Sequence, residues 1–130
     1  MIVVDASALI EFLLGSSQAE AIEEYLFGPG QTLHAPHLLD IEVVQVIRRH
    51  AANGTVGSAR GQAALNDLAD LPIRRYAHAF LLPRIWELRN NLTAYDAVYV
   101  ALAEALDATL LTRDGRLARS SGHRARIALI

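Results

Sequence analysis

The chain has 130 residues, 52% of them hydrophobic, and a formal net charge of −2, which suits a single domain over residues 1–130 with a substantial core. The absence of cysteine excludes disulfides and thiolate metal sites and suits a reducing cytoplasm. No apolar run approaches the ~20 residues of a membrane helix, and the opening Met1-Ile2-Val3-Val4-Asp5 lacks a basic region or cleavage site, so a cytoplasmic protein without a membrane partner is expected.

Ile2-Val3-Val4 predicts a short buried strand, and the apolar run Ala8–Leu14 a helix behind it. Gly15-Ser16-Ser17 interrupts that helix, with Ser17 placed to cap a second one over Gln18–Phe27. After a Gly28-Pro29-Gly30 turn, Thr32–Ala35 reads as a brief strand ended by Pro36. Leu38, Ile41, Val44 and Ile47 give a helix over His37–Ala52 that stops at Asn53-Gly54, and Gly57-Ser58 opens another running to Leu68. Pro72 can open a strand at Ile73–Tyr76, where Arg74 and Arg75 suit a solvated edge. Helices over Phe80–Arg89 and Ala94–Leu106 precede strands at Ala108–Thr112 and Arg126–Leu129. This alternation predicts an α/β fold, a three-layer α/β/α sandwich around a mostly parallel central sheet.

Four acids stand at the ends or flanks of apolar segments. Asp5 follows Ile2-Val3-Val4, Glu42 lies within Leu38–Val44, Asp96 precedes Ala97-Val98-Tyr99-Val100, and Asp114 follows Leu110-Leu111-Thr112. Parallel α/β sheets build sites beyond the carboxyl ends of their strands, near a switch in strand order. Asp5 and Asp114 each follow a strand, while Glu42 lies one turn into its helix and Asp96 in the first turn of its own, so both can face the same crevice. Four converging anions repel one another unless neutralised, and a hard cation such as Mg²⁺ or Mn²⁺ prefers carboxylate oxygens. Ser7 and Thr112, each two residues from an acid, can bond a carboxylate or a metal-bound water.

Each of these acids also has an ordinary reading. Asp5 can be a plain N-cap, Asp114-Gly115 a turn, Glu42 a solvated helix residue, and Thr93-Ala94-Tyr95-Asp96 a capping box. Asp40 competes with Glu42 but lies ~200° round the helix from it at ~100° per residue, so only one can face the site. Glu42 is preferred, because the helix dipole already explains an acid in the first turn.

Charge is unevenly spread. Residues 1–47 hold seven acids and no Lys or Arg, whereas residues 48–130 hold all twelve Lys or Arg residues, every one an arginine. Arg113, Arg116 and Arg119 are the candidates for gripping a phosphate backbone, with a plain solvated surface as the alternative. His34 and His37 form half of a zinc-like spacing that nothing closes, and the other histidines are isolated. Ser7 as a nucleophile lacks a base. Ile10, Phe12, Leu13, Tyr25, Phe27 and Trp86 either fill the core or line a partner's groove, and the core reading is preferred.

The segments Met1–Leu9, Glu42 after Pro36, Leu92-Thr93-Ala94-Tyr95-Asp96-Ala97 and Leu111-Thr112-Arg113-Asp114-Gly115-Arg116-Leu117 carry a resemblance. Together they resemble the PIN-domain ribonucleases, in particular the VapC toxins of bacterial VapBC toxin–antitoxin pairs. The resemblance runs the full chain in order. It implies a Rossmann-like PIN fold and an endoribonuclease dependent on Mg²⁺ or Mn²⁺, with one or two ions. It also implies a homodimer and inhibition by a VapB-type antitoxin that occupies a groove near the active site. Asp5, Glu42, Asp96 and Asp114 become the metal-binding, catalytic acids, with Ser7 and Thr112 in support. Where some relatives carry a further acid near the fourth, this chain has Arg116 and Arg119. Two rivals stand beside this reading. A phosphatase-type or receiver fold also places an Asp after its first strand, but normally uses a lysine that this chain lacks. A non-catalytic scaffold of the same shape would bind RNA or a partner without cutting.

Overall fold

A computed structural model describes residues 1–130. At its centre lies β1 (Ile2–Val4), in a five-stranded sheet of order β3-β2-β1-β4-β5. On one side are β2 (Leu33–Pro36) and β3 (Ile73–Tyr76), on the other β4 (Thr109–Thr112) and β5 (Arg126–Leu129). All four pairings are parallel, so the sheet expected to be mostly parallel is wholly so. Parallel strands are joined through helices that cover both faces, and inner strands must therefore be apolar on both sides. Accordingly Val3, Val4, Leu110 and Leu111 are fully buried. Pro36 ends β2 beyond its last pairing with β1, at Val3–His34, where a missing N–H costs no bond on that side.

The connections are α1 (Ala6–Leu13), α2 (Ala19–Phe27), α3 (Leu38–Ala52), α4 (Ser58–Asp70), α5 (Leu82–Glu87), α6 (Ala94–Leu106) and α7 (Gly115–Ala118). Every residue of α6 from Ala97 to Ala103 is buried, and the helix packs along β1, β2 and β4. Cutting a side chain such as Leu102 back to alanine would cost about 2–5 kcal/mol. The helix ends at Asp107, whose left-handed φ of 50° short polar residues tolerate. Arg126 ties that end to β5, reaching the Asp107 carboxylate at 2.8 Å and its carbonyl at 2.7 Å.

Several local expectations are corrected. Ser17 caps nothing; α2 starts after Gln18, whose N–H donates to Ser16 Oγ instead. The helix expected over Phe80–Arg89 is split into a 3-10 turn at Ala79–Leu81 and α5, because Pro83 lacks an N–H and its ring tolerates no helical turn before it. The arginines of β3 do not form a plainly solvated edge: Arg75 makes a two-pronged pair with Asp40 (2.7 and 2.9 Å), and Arg74 lies over the Tyr76 ring. Ile10 and Leu13 join the core as expected, but Tyr25, Phe27 and Trp86 are exposed by 43%, 44% and 67%. His34 is buried between Thr32 and Tyr76, bonded to both at 2.8 Å, a structural use of its ring.

The chain runs from β1 outward to β3, then returns to the far side of β1 as β4. The connections leaving β1 and β4 diverge at that reversal and open a crevice beyond the carboxyl ends of the two strands.

Candidate functional site

Asp5 stands where β1 gives way to α1, at the mouth of this crevice. It occupies the N-cap position, yet its side chain caps nothing. Instead its Oδ2 accepts two hydroxyls, from Ser7 Oγ and Thr112 Oγ1, both at 2.7 Å. Those hydroxyls are themselves fixed: Ser7 Oγ accepts the Arg113 N–H at 2.9 Å, and Thr112 Oγ1 the Asp114 N–H at 3.0 Å. The strand register makes this possible, since Val4 pairs with Leu111 and so sets Asp5 beside Thr112. A 7% exposed carboxylate is thereby locked by one oxygen, with Oδ1 left for something else.

Glu42 and Asp114 are held in the same one-handed way. Tyr99, buried in α6, donates its hydroxyl to Glu42 Oε1. Asp114 Oδ1 accepts the Arg116 and Leu117 N–H groups and so starts the single-turn helix α7, in place of the turn that was the ordinary alternative at Asp114-Gly115. Its Oδ2 has only Arg116 at 3.8 Å, whose side chain is largely solvated. Asp96 lies in the first turn of α6, and its N–H donates to Thr93 Oγ1 at 3.2 Å, as an N-cap requires.

These carboxylates feel one another. Burial raises the Glu42 carboxyl above its usual range; Tyr99 opposes that, and the charges of Asp5 and Asp96 add to it. Burial also raises Asp96, with Asp5 and Asp114 pushing the same way and Arg116 and Thr93 opposing. Tyr99 is driven strongly upward by burial and the adjoining anions, so it is a neutral donor throughout the physiological range.

All four acids and Ser7 line a single cleft of about 700 Å³ between α1, α3 and the start of α6, while Thr112 is fully buried behind Asp5. Asp40 faces away, paired with Arg75. Of the three arginines singled out, Arg113 lines the cleft. Arg116 and Arg119 do not; the Arg119 guanidinium lies over Gly115 instead. The sequence reading missed Tyr99, which Asp96 plus three residues on one helix face would have signalled. It also missed Gln45, Arg49 and His50, which continue the Glu42 face of α3 along the cleft. The Nδ1 of His50 is enclosed without a partner, a state that costs about 1–3 kcal/mol.

No three acids or imidazoles stand close enough to hold an ion as they are. The donor set nevertheless fits a hard divalent cation: oxygens only, three acids each with one anchored and one spare oxygen, and no arginine paired with Asp5, Glu42 or Asp96. To hold an ion, the acids that line the cleft would have to draw closer together.

Residues 2–122 match the PIN domain family. Ribonuclease VapC9 of Mycobacterium tuberculosis is 47% identical over 117 residues, covering 90% of this chain and 88% of the relative. The chain belongs to the PIN-domain family, in its VapC group. Among solved structures, PAE2754 of Pyrobaculum aerophilum superposes with a TM-score of 0.73 at 24% identity, covering 97% of this chain and 87% of the other. A chain of VapBC2 from Rickettsia felis, solved bound to a DNA fragment from its promoter, gives 0.72 at 15% identity, covering 99% of this chain and 98% of the other. At those identities the structures speak for the PIN fold alone.

Proposed function

We propose that this VapC-group chain is a divalent-metal-dependent endoribonuclease, the toxin of a toxin–antitoxin pair, hydrolysing RNA phosphodiesters with an activated water. The observation that carries the reading is the set of half-anchored acids. Asp5, Glu42 and Asp114 each commit one oxygen to a protein donor and leave the other toward one cleft, and no arginine neutralises Asp5, Glu42 or Asp96. A stable fold gains nothing by gathering unpaired anions in this way. Membership of a group whose relatives are named ribonucleases supports the same conclusion.

Asp5, Asp96 and Asp114 would hold Mg²⁺ or Mn²⁺, with Glu42 holding a second ion or accepting the water's proton. The bound cation would supply charge neutralisation at the phosphodiester and a water of lowered pKa. The chain's own part is orientation. Ser7 and Thr112 stop Asp5 from turning, and Tyr99 keeps Glu42 directed from α3 toward α6. Attack by water rather than by the ribose 2′-hydroxyl leaves a 5′-phosphate and a 3′-hydroxyl. A VapB-type antitoxin and a second copy of the chain are the proposed protein partners. Exposed Phe80, Leu82 and Trp86 offer apolar surface for one of them. No helix is long and apolar enough to cross a membrane.

The test is cleavage of a mixed-sequence RNA panel by purified protein in Mg²⁺, Mn²⁺ or EDTA, with Asp96→Asn alongside. Metal-dependent cutting that vanishes in the variant is expected. RNA held equally well in EDTA and never cut would replace the nuclease with a binding scaffold.

A further inference from the structure

The cleft does not end at the acids. It continues along α3 for two helical turns, walled by Gln45, Arg49 and His50 on one side and by Ile10 and Glu11 of α1 on the other. Seven residues separate Glu42 from Arg49, so the two lie on the same helix face, about 10 Å apart at ~1.5 Å per residue. We infer that this far end is a subsite for a phosphodiester of the RNA strand next to the one cleaved, with Arg49 as its phosphate ligand. The assignment rests on the nuclease reading above and names the part of the substrate that the acids do not touch.

Three observations point to an anionic strand there. Two arginines line the cleft, and they differ: Arg113 is engaged by the Ile130 carbonyl at 3.1 Å and approached by Glu11 at 3.9 Å, while the Arg49 guanidinium makes no ion pair or hydrogen bond within the protein. Gln45 spends its carbonyl oxygen on the Arg48 Nε–H at 2.9 Å, which leaves its amide N–H groups as donors. His50 keeps Nδ1 enclosed and unpartnered, and rotation of the ring into the cleft would give it a ligand atom to bond. Positions 45 and 49 thus carry donors not spent inside the protein, and the one acid on the facing wall, Glu11, lies nearest to Arg113 among the arginines of the cleft. A nucleic acid strand matches this polarity: its scissile phosphate meets the acids through a cation, and its neighbour meets a planar guanidinium fork.

Arg49 and His50 also sit in the last turn of α3, where a cation suits the helix dipole. That accounts for a positive charge on the turn, as Arg48 would, but not for a guanidinium facing the cleft unpaired. The two explanations predict different measurements, since a dipole contribution shows in stability and a phosphate contact shows in salt-dependent binding.

The experiment measures binding of a fluorescent single-stranded oligoribonucleotide of about 12 nucleotides to the cleavage-silent Asp5→Asn protein, by anisotropy, between about 50 and 200 mM salt. Arg49→Gln is compared with Arg126→Gln, a remote exposed arginine on β5. Loss of one phosphate contact should lower the slope of log K against log salt by about 0.7 and weaken binding several-fold, with Arg126→Gln unchanged. In the cleaving protein, Arg49→Gln should raise KM and leave kcat within about twofold, the mark of a binding contact. An unchanged salt slope and KM would overturn the subsite while leaving the nuclease intact. An Arg49→Gln protein that binds RNA normally but no longer binds its antitoxin would reassign this end of the cleft to the protein partner. Absence of cleavage by the unaltered protein would instead sink the nuclease reading, and the anisotropy slopes would still decide Arg49.

Discussion

Two carboxylates of this chain lie out of water and are treated in opposite ways. Glu104, in α6, has a side chain only 2% exposed and is enclosed by arginines, with Arg84 at 3.2 Å and Arg124 at 2.9 Å. Asp5, at the end of β1, is bonded by two neutral hydroxyls and surrounded by other acids. The fold neutralises a buried anion when the anion serves the fold. Around Asp5 it supplies orientation and withholds charge, the arrangement that the proposed cation site calls for.

The largest effect should therefore appear in activity at one end of the molecule only. Asp5→Asn or Asp96→Asn should cut RNA cleavage about a thousandfold, ~4 kcal/mol of barrier, at unchanged or higher thermal midpoint. Wild-type rates from either variant at matched Mg²⁺ would erase the contrast with Glu104. The converse substitution, Glu104→Gln, should leave cleavage within a few-fold and remove about 1–3 kcal/mol of stability, read by urea or thermal unfolding.

A smaller effect separates orientation from ligation. Tyr99→Phe keeps the ring packed in α6 and deletes only the hydroxyl on Glu42. It should lower activity or divalent affinity about tenfold with little change in folding, and a rate equal to that of the native protein would show that Glu42 needs no such anchor. The smallest effect concerns pH. In EDTA, Glu42 and Asp96 bind protons more tightly folded than unfolded, so their contribution to stability is complete below about pH 4 and is lost as pH rises through their raised values. Asp96→Asn should flatten that decline and raise the midpoint near neutrality by about 2–4 °C. Thermal scans from acid to neutral pH giving parallel curves for both proteins would refute it.

Much of the framework was legible in the chain because burial on both faces demands continuous apolar runs, as at Ile2-Val3-Val4 and Leu110-Leu111. The four acids were visible for the same reason: an anion beside such a run is conspicuous, and the cleft gathers all four. Other features were hidden by context. Tyr99 reads as one more apolar residue in α6, and only the approach of α3 turns its hydroxyl into an anchor. Asp40 and Glu42 differ by position on one helix, and β3, distant in sequence, supplies the Arg75 that claims Asp40. Arg49 was lost among twelve arginines because composition cannot distinguish a guanidinium facing a cleft from one facing water. Pro83 was the opposite case, a local signal strong enough to relocate a helix start.

The central place of β1 also imposes an order in time. Its partner β4 brings the Thr112 that bonds Asp5 across 107 positions of chain. At ~5–20 residues per second of synthesis, about 5–20 s pass between the emergence of the two. Through that interval three apolar residues of β1 present an unpaired edge, an invitation to association with other nascent chains. The same delay keeps Asp114 from joining Asp5, so the cleft assembles only after β4 has emerged.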